Sequence, residues 1–133
     1  SDKSKSMISN PNVSLSFHWE GMERQVIIKG ISEKISSTES DEYFDTRPLG
    51  SKLGAYVSMQ SSVIKSRKEL EDKLDNLSIK YKNKPISRPD FWGGFIVKPV
   101  EFEFWQGRSN RLHDRIRYRI NDNINWKTER LSP

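Results

Sequence analysis

The stretch Glu103-Phe104-Trp105-Gln106-Gly107-Arg108-Ser109-Asn110-Arg111-Leu112-His113-Asp114-Arg115 (EFWQGRSNRLHDR) decides how this chain is read, because two strand-like runs flank a Gly-Arg-Ser-Asn turn. A hairpin there gathers several hydrogen-bond donors in one place. If its second strand starts at Arg111, the side chains of Arg111, His113 and Arg115 alternate onto one face, and three cationic or donor groups on one face call for an anion. The same spacing also fits an exposed basic strand face that binds nothing.

Working outward, Gly94 to Val97, Val100 to Gln106 and His113 to Ile120 read as three strands, and a last strand around Asn125 to Arg130 closes the chain. Upstream, Lys82 to Pro89 is a loop that delivers the chain to Phe91-Trp92-Gly93-Gly94. Before it, Ser66 and Glu69 have capping-box spacing, and Leu70, Leu74, Leu77 and Tyr81 follow as one apolar stripe, which predicts a helix. A shorter helix is predicted from Thr38, paired with Asp41 as a capping box, to about Arg47. Pro48 stops it, and Ser51 opens a second short helix through Leu53, Ala55 and Tyr56. At the start, Val13 to Trp19 and Arg24 to Ile35 read as an antiparallel hairpin, with Glu20-Gly21-Met22 as its turn and Gly30 as a candidate bulge. Strands, then helices, then strands predict a mainly β fold with flanking helices, an antiparallel sheet or barrel with the helices packed outside.

A length of 133 residues suits a single domain spanning 1–133. The chain is polar, 33% hydrophobic and 31% charged, so part of its cover is expected to come from a partner such as a second subunit. With no cysteine, disulfides and thiolate metal sites are excluded, and redox chemistry needs a cofactor. A net charge of +5 favours an anionic partner: nucleic acid, phosphate ester or acidic membrane. No apolar run is long enough to span a bilayer, so a soluble, cytoplasmic protein without a membrane partner is expected, any upstream targeting sequence being outside the chain.

Several chemistries are poorly supported. Only His18 and His113 are available for zinc. Ser109, His113 and Asp114 are too close in sequence for a hydrolytic triad, and there is no G-x-S-x-G elbow, Walker A loop or G-x-G-x-x-G turn. Basic residues interleaved with aromatics would suit a groove for single-stranded nucleic acid, the leading reading without catalysis.

EFWQG, RLHDR and a terminal W-K-x-E-R-L-x-P, together and in this order, resemble the pyridoxamine/pyridoxine 5′-phosphate oxidase family. The similarity extends through NPNVSLSF, ERQVIIKG, YFDTRPLGSKLGAYVSMQSS and FWGGF, from about Lys3 to Pro133. It implies an FMN-binding split β-barrel that works as a homodimer with FMN at the subunit interface. It also implies the reaction: pyridoxamine or pyridoxine 5′-phosphate gives up a hydride from C4′ to flavin N5, dioxygen reoxidises the flavin to hydrogen peroxide, and pyridoxal 5′-phosphate is formed.

Position by position, the resemblance implies that Lys3, Gln25, Gln60, Ser61, Trp105 and Arg115 contact FMN. Ser61 would equally serve as a helix N-cap, and Trp105 as core. Tyr43, Arg47 and Ser51 are implied to take the substrate phosphate. Their spacing agrees, since residues four apart share a helix face and a serine at the next helix start adds a hydroxyl beside backbone N–H groups. Arg111 and His113 are implied to hold the substrate ring against the flavin, Arg111 orienting the carbon that loses hydride. Complete family members carry further N-terminal strands that add FMN and phosphate contacts. The expectation is therefore an incomplete barrel, either part of an active oxidase or a short form that binds flavin or a partner without catalysis.

Overall fold

The computed structural model describes residues 1–122 and 124–133, in two compact units: Ser1–Lys5 with Lys34–Phe95, and Ser6–Glu33 with Ile96–Pro133.

The first unit is helical. α2 spans Ser37–Asp45, α3 Leu49–Val57 and α4 Arg67–Lys80. The capping box that starts α2 is formed by Ser36 and Glu39, not Thr38 and Asp41: Ser36 Oγ accepts from the Glu39 N–H at 3.1 Å, and the Ser36 N–H donates to Glu39 Oε2 at 3.0 Å. The helix ends at Asp45, so Arg47 lies two residues beyond it. α3 starts at Leu49 with Pro48 as its N-cap residue, because the fixed φ of proline suits a helix start. Ser51 therefore sits in the first turn and does not open the helix. α4 begins as its sequence predicts, with Ser66 Oγ accepting from the Glu69 N–H. Its apolar stripe puts Leu74, Leu77 and Tyr81 against a core of Phe44, Leu53 and Ile86. Phe44 is fully buried, and burying a side chain of this size stabilises by roughly 1.5–3 kcal/mol.

The second unit holds a sheet in the order β1-β2-β3-β4-β5, the antiparallel sheet expected from the element order. β1 is Asn12–Trp19, β2 Arg24–Lys34, β3 Phe95–Gln106, β4 Asp114–Asn121 and β5 Asn125–Arg130. β1 pairs with β2, β3 with β4, and β4 with β5, all antiparallel. Two expected strands are one: β3 runs through Pro99. Its pairing to β4 starts only at Glu101, so the missing proline N–H removes no bond to β4. Gly30 is no bulge either, since the β1–β2 register passes through it without interruption. It is instead a point of close approach, where a Cβ would lie 2.5 Å from the Lys98 carbonyl oxygen.

The sheet separates its residues by face. Phe102 and Phe104 of β3 meet Ile116 and Tyr118 of β4 and Trp126 of β5 around one apolar cleft. The alternate positions carry charge. Glu101, only 6% exposed, takes Lys29 at 2.8 Å and Arg119 at 3.0 Å, and these partners hold its carboxyl below the usual range. Glu129 takes Arg117 and Lys127. A buried carboxylate is tolerable only with such partners.

A helix absent from the sequence reading, α1, spans Asp2–Ser9. It is polar, and the Ser4 N–H donates to Ser1 Oγ at 3.3 Å. No helix among the described residues is long and apolar enough to cross a membrane.

Candidate active site

In the helical unit, Arg47, Ser51, Gln60 and Trp92 line a cleft of about 510 Å³, together with Ser1 and Ser4. Arg47 reaches it because the chain turns sharply after α2, its own N–H donating to the Phe44 carbonyl at 3.1 Å. The guanidinium carbon lies 5.0 Å from the centroid of Trp92 and 5.9 Å from that of Phe44. Arg47 Nη1 is buried with no hydrogen-bond partner among the described residues. A buried donor left unmatched costs about 1–3 kcal/mol, more when charged, so its presence calls for an explanation. An anion supplies one. Ser51 stands in the first turn of α3, whose N-terminus carries no side-chain cap, and the positive end of a helix dipole favours the same charge.

Tyr43 does not share a helix face with Arg47, as the four-residue spacing predicts, because α2 ends between them. The two are linked through Trp92: the Tyr43 ring is stacked on it at 6.1 Å and 18°. Tyr43 is exposed and lies outside the cleft lining. Gln60 and Ser61 form the tip of a turn closed by the Ser62 N–H on the Met59 carbonyl at 2.9 Å. Ser61, with φ 69°, occupies the left-handed region there and caps no helix. Lys3 is exposed on the first turn of α1, beside the lining residues Ser1 and Ser4.

In the sheet unit, Trp105 on β3 lies directly opposite Arg115 on β4. Arg115 Nε donates to Glu103 Oε1 at 2.7 Å and Nη1 to the Ser132 carbonyl at 3.0 Å. These two bonds fix the guanidinium while using two of its five N–H donors. Gln25 donates to Ser16 Oγ at 3.0 Å and lines a second cleft with Trp105 and Phe104.

Arg111, His113 and Arg115 do not share a strand face. β4 begins only at Asp114, and Arg111 belongs to a single 3-10 turn, Ser109–Arg111, in which Asn110 and Arg111 both have positive φ, 59° and 61°. This is an uncommon conformation for an arginine and one that clusters at functional sites. His113 packs on Trp105 at 4.9 Å, and its Nδ1 accepts from the Arg108 N–H at 3.1 Å. The neutral imidazole therefore carries its proton on Nε2. Arg108 and Arg130 bracket Asp114 at 2.8 and 2.6 Å and hold its carboxyl below the usual range.

The sequence does not single out Glu103 or Trp92, which hold Arg115 and Arg47, and it offers Asp114 only as a poor triad member, whereas Asp114 holds the turn. Glu103 and Asp114 are visible inside the EFWQGRSNRLHDR stretch. Nothing in the sequence links Trp92 to a residue 45 positions earlier. The amide of Gln106 is structural: it donates to the Met22 carbonyl at 3.1 Å and accepts from Arg24 Nε at 2.7 Å. Gly107 adds an N–H to the Glu23 carbonyl at 2.7 Å. Among the described residues, no His, Cys, Asp and Glu cluster is arranged to hold a metal ion.

The chain is similar to known proteins in sequence and in fold. A family model described as pyridoxamine 5′-phosphate oxidase matches residues 1–81, and one described as pyridoxine 5′-phosphate oxidase C-terminal dimerisation region matches residues 92–133. A Flavobacterium johnsoniae protein named pyridoxine/pyridoxamine 5′-phosphate oxidase is 58% identical over 99% of this chain and 62% of its own length. A Nostoc punctiforme protein of the same name is 55% identical, over 100% of this chain and 62% of its own length. The chain thus spans about three-fifths of these relatives. Among solved structures, PhzG from Burkholderia lata 383 in complex with tetrahydrophenazine-1-carboxylic acid superposes with a TM-score of 0.87 at 28% identity, covering 100% of this chain and 64% of that one. A pyridoxamine 5′-phosphate oxidase-related, FMN-binding protein from Nostoc punctiforme shares the fold, with a TM-score of 0.67 at 16% identity, over 100% of this chain and 69% of that one.

Proposed function

The chain belongs to the pyridoxamine 5′-phosphate oxidase family, of the split β-barrel class, and from that premise we propose that the protein oxidises pyridoxamine or pyridoxine 5′-phosphate to pyridoxal 5′-phosphate with FMN as its cofactor. The observation that carries the reading is Arg47, which lines one cleft with Ser51 of α3 and keeps a buried Nη1 donor without a partner among the described residues. That donor set suits a phosphate better than a neutral ligand.

FMN would be held by Lys3, Gln25, Gln60, Ser61, Trp105 and Arg115 and would supply the two-electron redox chemistry, a hydride and a proton leaving the substrate and both ending on dioxygen as hydrogen peroxide. The residues of this chain bind and orient. Arg47 and Ser51 take the phosphate oxygens, and Tyr43, outside the cleft lining, reaches them only through its stacking on Trp92. Arg111 and His113 hold the substrate ring, His113 offering the proton on Nε2 as a donor. Lys3, Gln25, Gln60, Ser61, Trp105 and Arg115 contact FMN, with Trp105 supplying an aromatic surface and the fixed Arg115 guanidinium a placed positive charge. We take the working form to be a homodimer, a reading supported by the match of residues 92–133 to a dimerisation region.

The nucleic-acid reading loses support from the charge pattern. Arg108, Arg115, Arg117, Arg119 and Arg130 are each paired with a carboxylate of the same unit, so these guanidinium groups are engaged within the protein and less free to track a phosphate backbone. The test is to incubate the protein with FMN and pyridoxine 5′-phosphate in air, then measure pyridoxal 5′-phosphate and peroxide. Equal amounts of the two support the oxidase. Flavin bound without turnover supports the inactive form, and salt-sensitive binding of single strands unaffected by FMN supports the nucleic-acid reading.

A further inference from the structure

Four groups converge on Trp92 within the helical unit. Its indole lies 5.0 Å from the Arg47 guanidinium carbon, stacks on Tyr43 at 6.1 Å and meets the Phe44 ring edge-on at 5.2 Å and 72°. Its backbone is pinned independently: Arg88 Nη1 donates to the Trp92 carbonyl at 2.5 Å, while Arg88 Nε donates to Asp41 Oδ1 at 2.7 Å and so ties the Trp92 loop to α2. The Trp92 N–H closes a turn onto the Pro89 carbonyl at 2.9 Å. Phe44 is fully buried in the core, so the indole is held at its edge and along its backbone.

This arrangement solves a physical problem. An arginine that must meet a phosphate needs its fork held in one orientation without its N–H groups being consumed. A carboxylate would hold it but compete with the phosphate for the same donors. An aromatic face attracts the guanidinium through its ring quadrupole and leaves the N–H edge available. Arg47 is held in this way, in contrast to Arg115, which is held by Glu103.

We propose that Trp92 is the positioning residue of the phosphate site, its indole face orienting Arg47 toward the phosphate of the ligand. The proposal rests on the reading of Arg47 as the phosphate-binding arginine. Removing a partly desolvated cation–π contact corresponds to about a tenfold loss in affinity.

The test is binding of pyridoxal 5′-phosphate and of unphosphorylated pyridoxal, each followed by absorbance titration, to the wild-type protein and to Trp92→Leu, Trp92→Phe and Arg47→Ala. Trp92→Leu is expected to raise the Kd for pyridoxal 5′-phosphate about tenfold, with the Kd for pyridoxal unchanged, and Trp92→Phe to recover most of the loss. A wild-type Kd for the phosphorylated ligand in Trp92→Leu, with Arg47→Ala still impaired, overturns the role of Trp92 and leaves the phosphate reading standing. An unimpaired Arg47→Ala overturns the phosphate reading itself. Should Trp92→Leu fail to fold, phenylalanine and pentafluorophenylalanine at position 92 keep the ring shape while one of them loses the negative face. Weaker binding of pyridoxal 5′-phosphate by the fluorinated ring supports the proposal, and equal binding overturns it.

Discussion

Arg47 and Trp92 are 45 residues apart in sequence, yet the guanidinium carbon of one lies 5.0 Å from the ring centroid of the other, and the arginine keeps a buried Nη1 that no described residue satisfies. A folded chain seldom leaves a charged donor in that state without a ligand to match it. That unmatched donor is the observation on which the proposed phosphate site rests.

Arg47→Ala is expected to weaken binding of pyridoxal 5′-phosphate by at least tenfold while leaving pyridoxal unaffected, since a charge-assisted hydrogen bond contributes about 1.5–3 kcal/mol. Arg47→Lys should recover only part of this, because an ammonium lacks the planar fork and stacks less well on the indole. Titration with the two ligands separates loss of the phosphate contact from general damage to the cleft.

Gly30→Ala should destabilise the sheet unit by about 1–3 kcal/mol, the usual cost of forcing an atom into a packed interior. The new Cβ would stand 2.5 Å from the Lys98 carbonyl oxygen and 2.7 Å from Val97 Cγ1. Gly54→Ala is the matched control. It lies inside α3, where an added methyl would meet nothing within 4 Å beyond its chain neighbours and the helix's own backbone, and should stabilise by roughly 0.5–1 kcal/mol. Thermal or urea melts of the two variants should move in opposite directions.

These positions also show what sequence alone can reveal. The α4 helix is legible because its Ser66 cap and leucine stripe are local signals, written within fifteen residues. The β1–β2 hairpin is legible for the same reason. The helix starts at Ser36 and Pro48 fall a residue or more from where the sequence suggests them, since several serines and threonines compete for each cap and only packing chooses among them. The alternation of Arg111, His113 and Arg115 fails because left-handed Asn110 and Arg111 consume the residues that a two-strand reading assigns to β4. α1 is short and polar, without an apolar stripe to announce it. Arg47 stands out in the sequence but its partner Trp92 does not, since their contact is made by the tertiary fold.

Glu129 gives a pH signature. Lys127 and Arg117 hold its carboxyl down at about 2, against an ordinary 4.5. A group depressed in this way contributes stability that is fully present above its unfolded value and is lost as pH falls through its folded one. Between pH 4.5 and 2, Glu129→Gln should therefore lose stability less steeply than the wild type, with lower stability than wild type at neutral pH. Urea midpoints measured across that range check both slopes.

Arg111→Gly should separate chemistry from folding. Glycine accepts the positive φ of 61° more readily than arginine does, so the turn should be retained and the melting temperature held or raised. Turnover of pyridoxine 5′-phosphate should nevertheless fall at least tenfold if the guanidinium orients the reacting carbon. A variant with unchanged turnover would remove Arg111 from the site.

Single-turnover reduction asks directly whether this chain carries the binding machinery proposed for a flavin-dependent oxidase of phosphorylated vitamin B6 forms. The purified protein, loaded with FMN and freed of oxygen, is mixed with pyridoxine 5′-phosphate and followed by the visible flavin absorbance. Bleaching matched by one pyridoxal 5′-phosphate per flavin is expected, lost in Arg111→Gly and shifted to higher substrate concentration in Arg47→Ala. A protein that binds no flavin, or whose bound flavin stays oxidised at saturating substrate, would contradict the proposed oxidase function.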